Sequence, residues 1–192
     1  MGMNESNCVN VMTSLRESCI SCRECSIGGR EIGDNLSNVF STMNFMADIM
    51  VVGQCPGLDE VNSGLPFVGH AGQIFDESLK RLTGISRSDV YITNVVKCYT
   101  CKRKPRVSEV DSCRKYLDME MKIVSPKVVV AVGGFAFKAM TGMGGIIKHC
   151  GEVIMSPRYG VPVIAVIHPS NDSDKSEMFE GAIKKIGEVL CG

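Results

Sequence analysis

The chain has 192 residues, 44% of them hydrophobic and 22% charged, with 21 basic against 21 acidic side chains, no tryptophan and 10 cysteines. That composition is too apolar for disorder, the most apolar uncharged run (residues 128–137) is too short to cross a bilayer, and the length suits one domain with a full core. Zero formal charge excludes bulk electrostatic attraction to nucleic acid but leaves room for a local basic patch.

Residues 1–8 are polar and lack the basic-then-apolar plan of a signal peptide, so a cytosolic location is expected, where crowded cysteines point to metal or redox chemistry rather than disulfides. One domain over 1–192 is expected, in which residues 1–45 form a helical arm and a Cys-rich loop packed on the rest. Apolar β-branched runs predict strands at 49–52, 90–96, 128–132 and 161–167. Between and after them, helical spacing predicts helices over 73–82, 108–123 and 176–190, with a short one after Gly134; Ser108 and Asp111 suggest a cap for the second. Strand and helix in alternation give an α/β fold, a three-layer α/β/α sandwich around a four-stranded parallel sheet. In such a sheet the chemistry lies in the loops leaving the carboxyl ends of the strands. Those loops hold Gly53-Gln54-Cys55-Pro56-Gly57, Asn94 to Cys98, Gly133-Gly134 and His168-Pro169-Ser170.

The cysteines cluster as Cys19-Ile-Ser-Cys22-Arg-Glu-Cys25, followed far downstream by Cys98, Cys101 and Cys113. A C-x2-C pair with two distant cysteines can give four thiolates to zinc or to an iron–sulfur cluster, and spacing leaves the metal open. Such a clip would tie the 14 residues between Cys98 and Cys113, read as a long loop, to the N-terminal arm. Residues 53–60 and 64–72 are dense in Gly and Pro, which exposes backbone N–H groups to a ligand and leads into a helix N-terminus suited to anions. Lys97, Lys102, Arg103, Lys104 and Arg106, then Arg114 and Lys115, form a basic stretch able to pair with phosphates.

G-x-x-P-G, then G-x-P-F-V-G-x-A-G, then T-N-V-V-K-C, then H-P-S, in that order from about Cys22 to Ser170, resembles the uracil-DNA glycosylase superfamily, closest to its iron–sulfur branch, family 4. The resemblance implies that Cys22, Cys25, Cys98 and Cys113 hold a structural 4Fe-4S cluster, with Cys19 as the alternative ligand on the arm and Cys101 as an extra. It makes Phe67 the ring that stacks on a base flipped from the helix and Asn94 the amide that reads its edge, beside Gln54 and Cys55. His168, with Gln54, becomes the catalytic pair, His168 supporting the negative charge that develops on uracil O2. Ser170, Pro66, Gly69, Lys102 and Arg103 would run along the DNA backbone.

Two departures stand out. Family 4 usually has an acidic residue where this chain has Gln54, and family 1 has a catalytic Asp where it has Cys55. Gln54 cannot act as a general base but can hydrogen-bond a water or the base, while Asp59 and Glu60 are candidates to position water. His149 is a weak match to a histidine that bonds covalently to the abasic sugar in a related branch. The expectation is a monomeric, monofunctional uracil-DNA glycosylase, free of membranes, acting on uracil in single- or double-stranded DNA with water as nucleophile. It would release uracil, leave an abasic site and have no lyase step, since no lysine stands among the matched site residues. The alternatives are the same fold acting on another damaged or modified base, a catalytically weak DNA-binding iron–sulfur protein, and a redox protein; the last leaves Phe67, Asn94 and His168 unexplained.

Overall fold

In the computed structural model, which describes residues 5–169 and 173–191, the apolar runs become β3 (Ile49–Gly53), β4 (Val90–Asn94), β5 (Val128–Val132) and β7 (Pro162–Val166). β3, β4 and β5 are buried at each position and β7 at all but its first, the pattern of parallel strands covered on both faces. Alternation along them separates two apolar clusters. Met50, Val52, Tyr91, Val129 and Ala131 pack with residues of α1 (Glu5–Ile20), α4 (Val107–Val124) and α5 (Gly134–Thr141). Ile49, Val51, Ile92, Val128 and Val130 pack with α3 (His70–Thr83) and α6 (Ser173–Cys191). The three expected layers are therefore present.

The sheet has five strands, not four, in the order β4-β3-β5-β7-β6. The added strand, β6 (Val153–Met155), is antiparallel to β7 and lies at the edge, with both terminal residues exposed. Three half-solvated residues leave no periodicity to read, so the strand was invisible in the sequence. The run at 90–96 stops pairing as a strand at Asn94, after which the Val95 and Val96 amides bond the Gly53 and Gln54 carbonyls (2.9 and 3.0 Å).

Other boundaries also moved. α2 (Leu58–Ser63) is a short helix inside the expected loop, ended by Gly64 at φ 70°. α4 starts before Ser108, and its cap is the Glu109 carboxylate accepting the Arg106 N–H at 2.8 Å rather than a Ser108–Asp111 pair. Cys113 consequently lies on this helix, not at the end of a loop.

In the arm, α1 packs on α4, with the Tyr116 hydroxyl donating to the Ser18 carbonyl at 3.0 Å. A two-residue hairpin, β1 (Glu31–Ile32) with β2 (Asn35–Leu36), breaks the Cys-rich loop. Asn38 rivets that loop: its Nδ2 donates to the Cys19 carbonyl (2.8 Å), its Oδ1 accepts from the Gly29 amide (3.0 Å), and its backbone bridges Cys98. Among the described residues no helix is long and apolar enough to cross a membrane.

Candidate functional site

At the carboxyl edge of the parallel strands lies a cleft of about 550 Å³. Gln54, Cys55, Phe67, Gly69, Asn94, Lys102, Arg103 and His168 line it, so four separate loops converge as the topology requires. Pro66 is buried and not on the cleft wall, and Ser170 lies outside the described residues.

Phe67 is held from several sides. Its backbone is left-handed (φ 55°), a strained conformation for a bulky residue. Arg87 stabilises it: Nη1 donates to the Phe67 carbonyl (2.9 Å), Nη2 donates to the Pro66 carbonyl, and Nη1 also pairs with Asp76 Oδ2 (2.8 Å). Asp76 Oδ1 is the one buried side-chain polar atom among the described residues that has no partner, and burial raises this carboxyl's pKa against the opposing pull of Arg87. The Phe67 ring meets Phe75 edge-on at 6.3 Å. Gly53, at the end of β3, permits the close approach above it: a Cβ there would fall 2.4 Å from Phe67 Cε2 and 2.5 Å from Asn94 Oδ1. Ring and amide are thus neighbours over a bare stretch of backbone. Asn94 is 2% exposed overall, but its side-chain amide opens on the cleft, and among the described residues nothing bonds it, which leaves it for a ligand there.

Glu60, on the cleft wall, has a structural part. Its carboxylate accepts the N–H groups of Gly57 (2.8 Å), Val68 (2.9 Å) and Gly69 (2.8 Å), stapling the Gly53–Gly57 loop to the Phe67 loop. Gln54 Nε2 and Thr100 Oγ1 approach Cys55 Sγ at 3.7 and 3.4 Å, contacts long enough to yield to a bound base or water. His168 is exposed, with Nδ1 3.2 Å from the Pro169 carbonyl, which leaves Nε2 as the ring nitrogen open to a ligand. His149 is not on the cleft wall; it pairs with Glu152 (2.7 Å) and stacks near Phe137.

The basic stretch divides in two. Lys97 does not face DNA but is buried in an ion pair with Glu120 (2.6 Å). Arg103 makes two bonds to Glu109 (2.8 and 2.5 Å), Arg114 pairs with Asp111, and Lys115 pairs with Glu24. Hydrogen bonds from Arg103 hold the Glu109 carboxyl at a pKa of about 2. Lys102, Lys104 and Arg106 are exposed and form no ion pair among the described residues.

Behind the cleft, Cys19, Cys22, Cys25, Cys98 and Cys113 line one small cavity, while Cys101 is exposed elsewhere. Burial pushes the Cys98 thiol up to about 12 and the Cys113 thiol up to about 11; that of Cys19 rises further. A bound cation reverses that logic and draws the protons off. Among the described residues no three His, Cys, Asp or Glu side chains converge to hold a single metal ion. The thiols instead ring the cavity, a soft donor set of the kind that zinc or an iron–sulfur cluster takes. Cys113 Sγ also accepts the Lys97 N–H at 3.1 Å, the kind of hydrogen bond that tunes a ligating thiolate.

The cleft wall also includes Leu58, His70, Tyr99, Thr100 and Phe135, none of them anticipated. His70 opens α3 directly after Gly69; the signal was the glycine-rich run into a helix N-terminus, read as backbone only.

A sequence profile of the uracil DNA glycosylase superfamily matches residues 40–187. The chain is 36% identical over 184 residues to a type-4 uracil-DNA glycosylase of Archaeoglobus fulgidus, covering 90% of this chain and 89% of that one. It is 31% identical over 195 residues to a type-4 uracil-DNA glycosylase of Sulfurisphaera tokodaii (93% and 84% covered). A type-5 uracil-DNA glycosylase of Pyrobaculum aerophilum is 35% identical over 142 residues, 65% of this chain and 62% of its own.

Proposed function

Since this chain belongs to the uracil DNA glycosylase superfamily, we propose that it is a monofunctional uracil-DNA glycosylase, acting as a monomer in the cytosol on uracil in single- or double-stranded DNA. The supporting observation is that Phe67, Asn94 and His168, from three separate loops, line one cleft at the carboxyl edge of the sheet. A flipped uracil stacks on Phe67 and meets the unpartnered Asn94 amide with its O4 and N3 edge. His168 Nε2 donates to O2 as the glycosidic bond breaks and the base leaves as an anion. Gln54, beside Cys55, holds the attacking water or the base by hydrogen bonds without taking its proton, so bond cleavage runs ahead of attack through an oxocarbenium-like state. Water completes the reaction, giving free uracil and an abasic site.

No amine is set for a lyase step. The Lys97 ammonium is spent on three internal partners, and Lys102 serves the DNA backbone with Arg103, Lys104, Arg106 and the loop holding Pro66 and Gly69. The first-turn amides of α3 complete that track, with Ser170 a further phosphate contact by family resemblance.

Cys22, Cys25, Cys98 and Cys113 are the ligand set for a 4Fe-4S cluster, supported by the shared cavity and by the type-4 relatives. Bound there, the cluster would supply iron–thiolate bonds that clip the arm to the segment after β4 and to α4, and no part of base release. Cys25→Ser should lose iron while Cys19→Ser keeps it; the reverse would exchange the two residues' roles.

The test of the activity is base release by anaerobically purified protein from oligonucleotides containing one uracil, against matched strands carrying thymine, cytosine or hypoxanthine. Release from uracil alone is expected. Release only from another base would favour an altered pocket built on Gln54 and Cys55, and DNA binding with no release from any strand would refute the enzyme.

A further inference from the structure

Lys97 is 1% exposed and Glu120 is wholly buried, yet neither belongs to the chemistry above. Burying such a pair is costly, and shape-matched apolar residues often serve a fold as well or better, so the fold alone gives little reason for it. What the pair touches is informative. The ammonium donates to Glu120 Oε2 (2.6 Å), to the Asn94 carbonyl (2.8 Å) and to Thr93 Oγ1, which uses all three of its protons. Thr93 Oγ1 lies 3.0 Å from both Glu120 oxygens, closing the ring. At the other end of the same residue, the Lys97 backbone N–H donates to Cys113 Sγ (3.1 Å). Cys113 and Glu120 stand seven positions apart on α4 and therefore on one face, so a single helix grips Lys97 at both ends.

Asn94 needs this support. Its side chain has no internal partner among the described residues, so its direction is set by its backbone. That backbone is where β4 stops, held on one side by pairing with Gly53 and on the other by the Lys97 ammonium. We propose that Lys97, anchored by Glu120, is a positioning residue for base recognition: its ammonium fixes the Asn94 backbone while its backbone amide docks on Cys113, so that the cysteine centre and the base-reading amide are set by one residue. This rests on the glycosylase reading above.

The test removes both charges together, Lys97→Met with Glu120→Leu, so that no lone charge is left buried. Three quantities are measured: iron per chain with the visible absorption, affinity for an oligonucleotide carrying a non-cleavable 2′-fluoro-deoxyuridine, and the single-turnover rate of uracil release. The expected result is full iron, DNA affinity lowered no more than about threefold, and release slowed at least about tenfold, as for a reading group displaced by a fraction of an ångström. Release within twofold of wild type in an iron-replete variant overturns the proposal. If the double variant fails to fold or to hold iron, Thr93→Val decides, because it keeps both charges and removes one anchor. A three- to fivefold slower release with full iron is expected from it, and an unchanged rate overturns the proposal. Wild-type protein that releases no uracil would instead sink the parent reading, an outcome plainly distinct from an active wild type with equally active variants.

Discussion

Gly53→Ala is the sharpest steric probe of the cleft. The glycine sits in ordinary extended strand, so the substitution brings no backbone strain, only a methyl group. That methyl would stand 2.4 Å from Phe67 Cε2, 2.6 Å from its Cζ and 2.5 Å from Asn94 Oδ1. Carbon contacts settle near 3.5–4.0 Å, so ring and amide must each retreat by roughly 1 Å. The ring has little room to do so, with its carbonyl pinned by Arg87, Phe75 edge-on at 6.3 Å, and Gly72 so close that a Cβ there would lie 2.1 Å from the Phe67 carbonyl oxygen. Overpacking of this kind costs about 1–3 kcal/mol of stability, which a domain of this size tolerates. Displacing both base-recognition groups by about 1 Å should slow uracil release on the order of 100-fold. Single-turnover release from a uracil oligonucleotide, with a urea melt to confirm folding, makes the measurement. A folded Gly53→Ala protein within threefold of the wild-type rate would refute the assignment of Phe67 and Asn94 as the base-holding pair.

Gln54→Glu restores a proton acceptor beside the cleft and should raise the release rate about tenfold; an unchanged or lower rate would show that a base at this position contributes nothing here. Arg87→Ala removes the bonds to the Phe67 and Pro66 carbonyls and leaves Asp76 buried without its cation, so it should cost about 1–3 kcal/mol and slow release about tenfold with iron content unchanged. Glu109, held at about 2 against an ordinary 4.5 chiefly by hydrogen bonds from Arg103, contributes stability that is present above pH 4.5 and lost as pH falls toward 2. The melting-temperature gap between wild type and Glu109→Gln should therefore narrow between pH 5 and pH 3, and a constant gap would contradict this source of the shift.

Sequence alone reached the parallel sheet because its strands are nearly unbroken β-branched runs, and it missed β6 and α2 because three and six residues carry no usable period. Asn94 and His168 were legible as polar residues ending apolar strands, and Phe67 as an aromatic in a Gly- and Pro-rich loop. Lys97 was misread, and the stapling part of Glu60 missed, for a common reason: a sequence records charge but not which way it faces. Lys97 turns inward to Glu120, 23 positions further along the chain, and Glu60 accepts three backbone amides. His70 escaped because its glycine neighbours suggested a backbone role alone.

The measurement that bears most directly on the whole account is single-turnover release of uracil from a single-stranded oligonucleotide, comparing anaerobically purified wild type with His168→Ala. The account predicts alkali-labile abasic sites with the wild type and a rate about 100- to 1,000-fold lower in a variant that still folds, holds iron and binds DNA. Equal rates for the two proteins would contradict the role of His168, and no release from folded, iron-loaded, DNA-binding wild type would contradict the glycosylase itself.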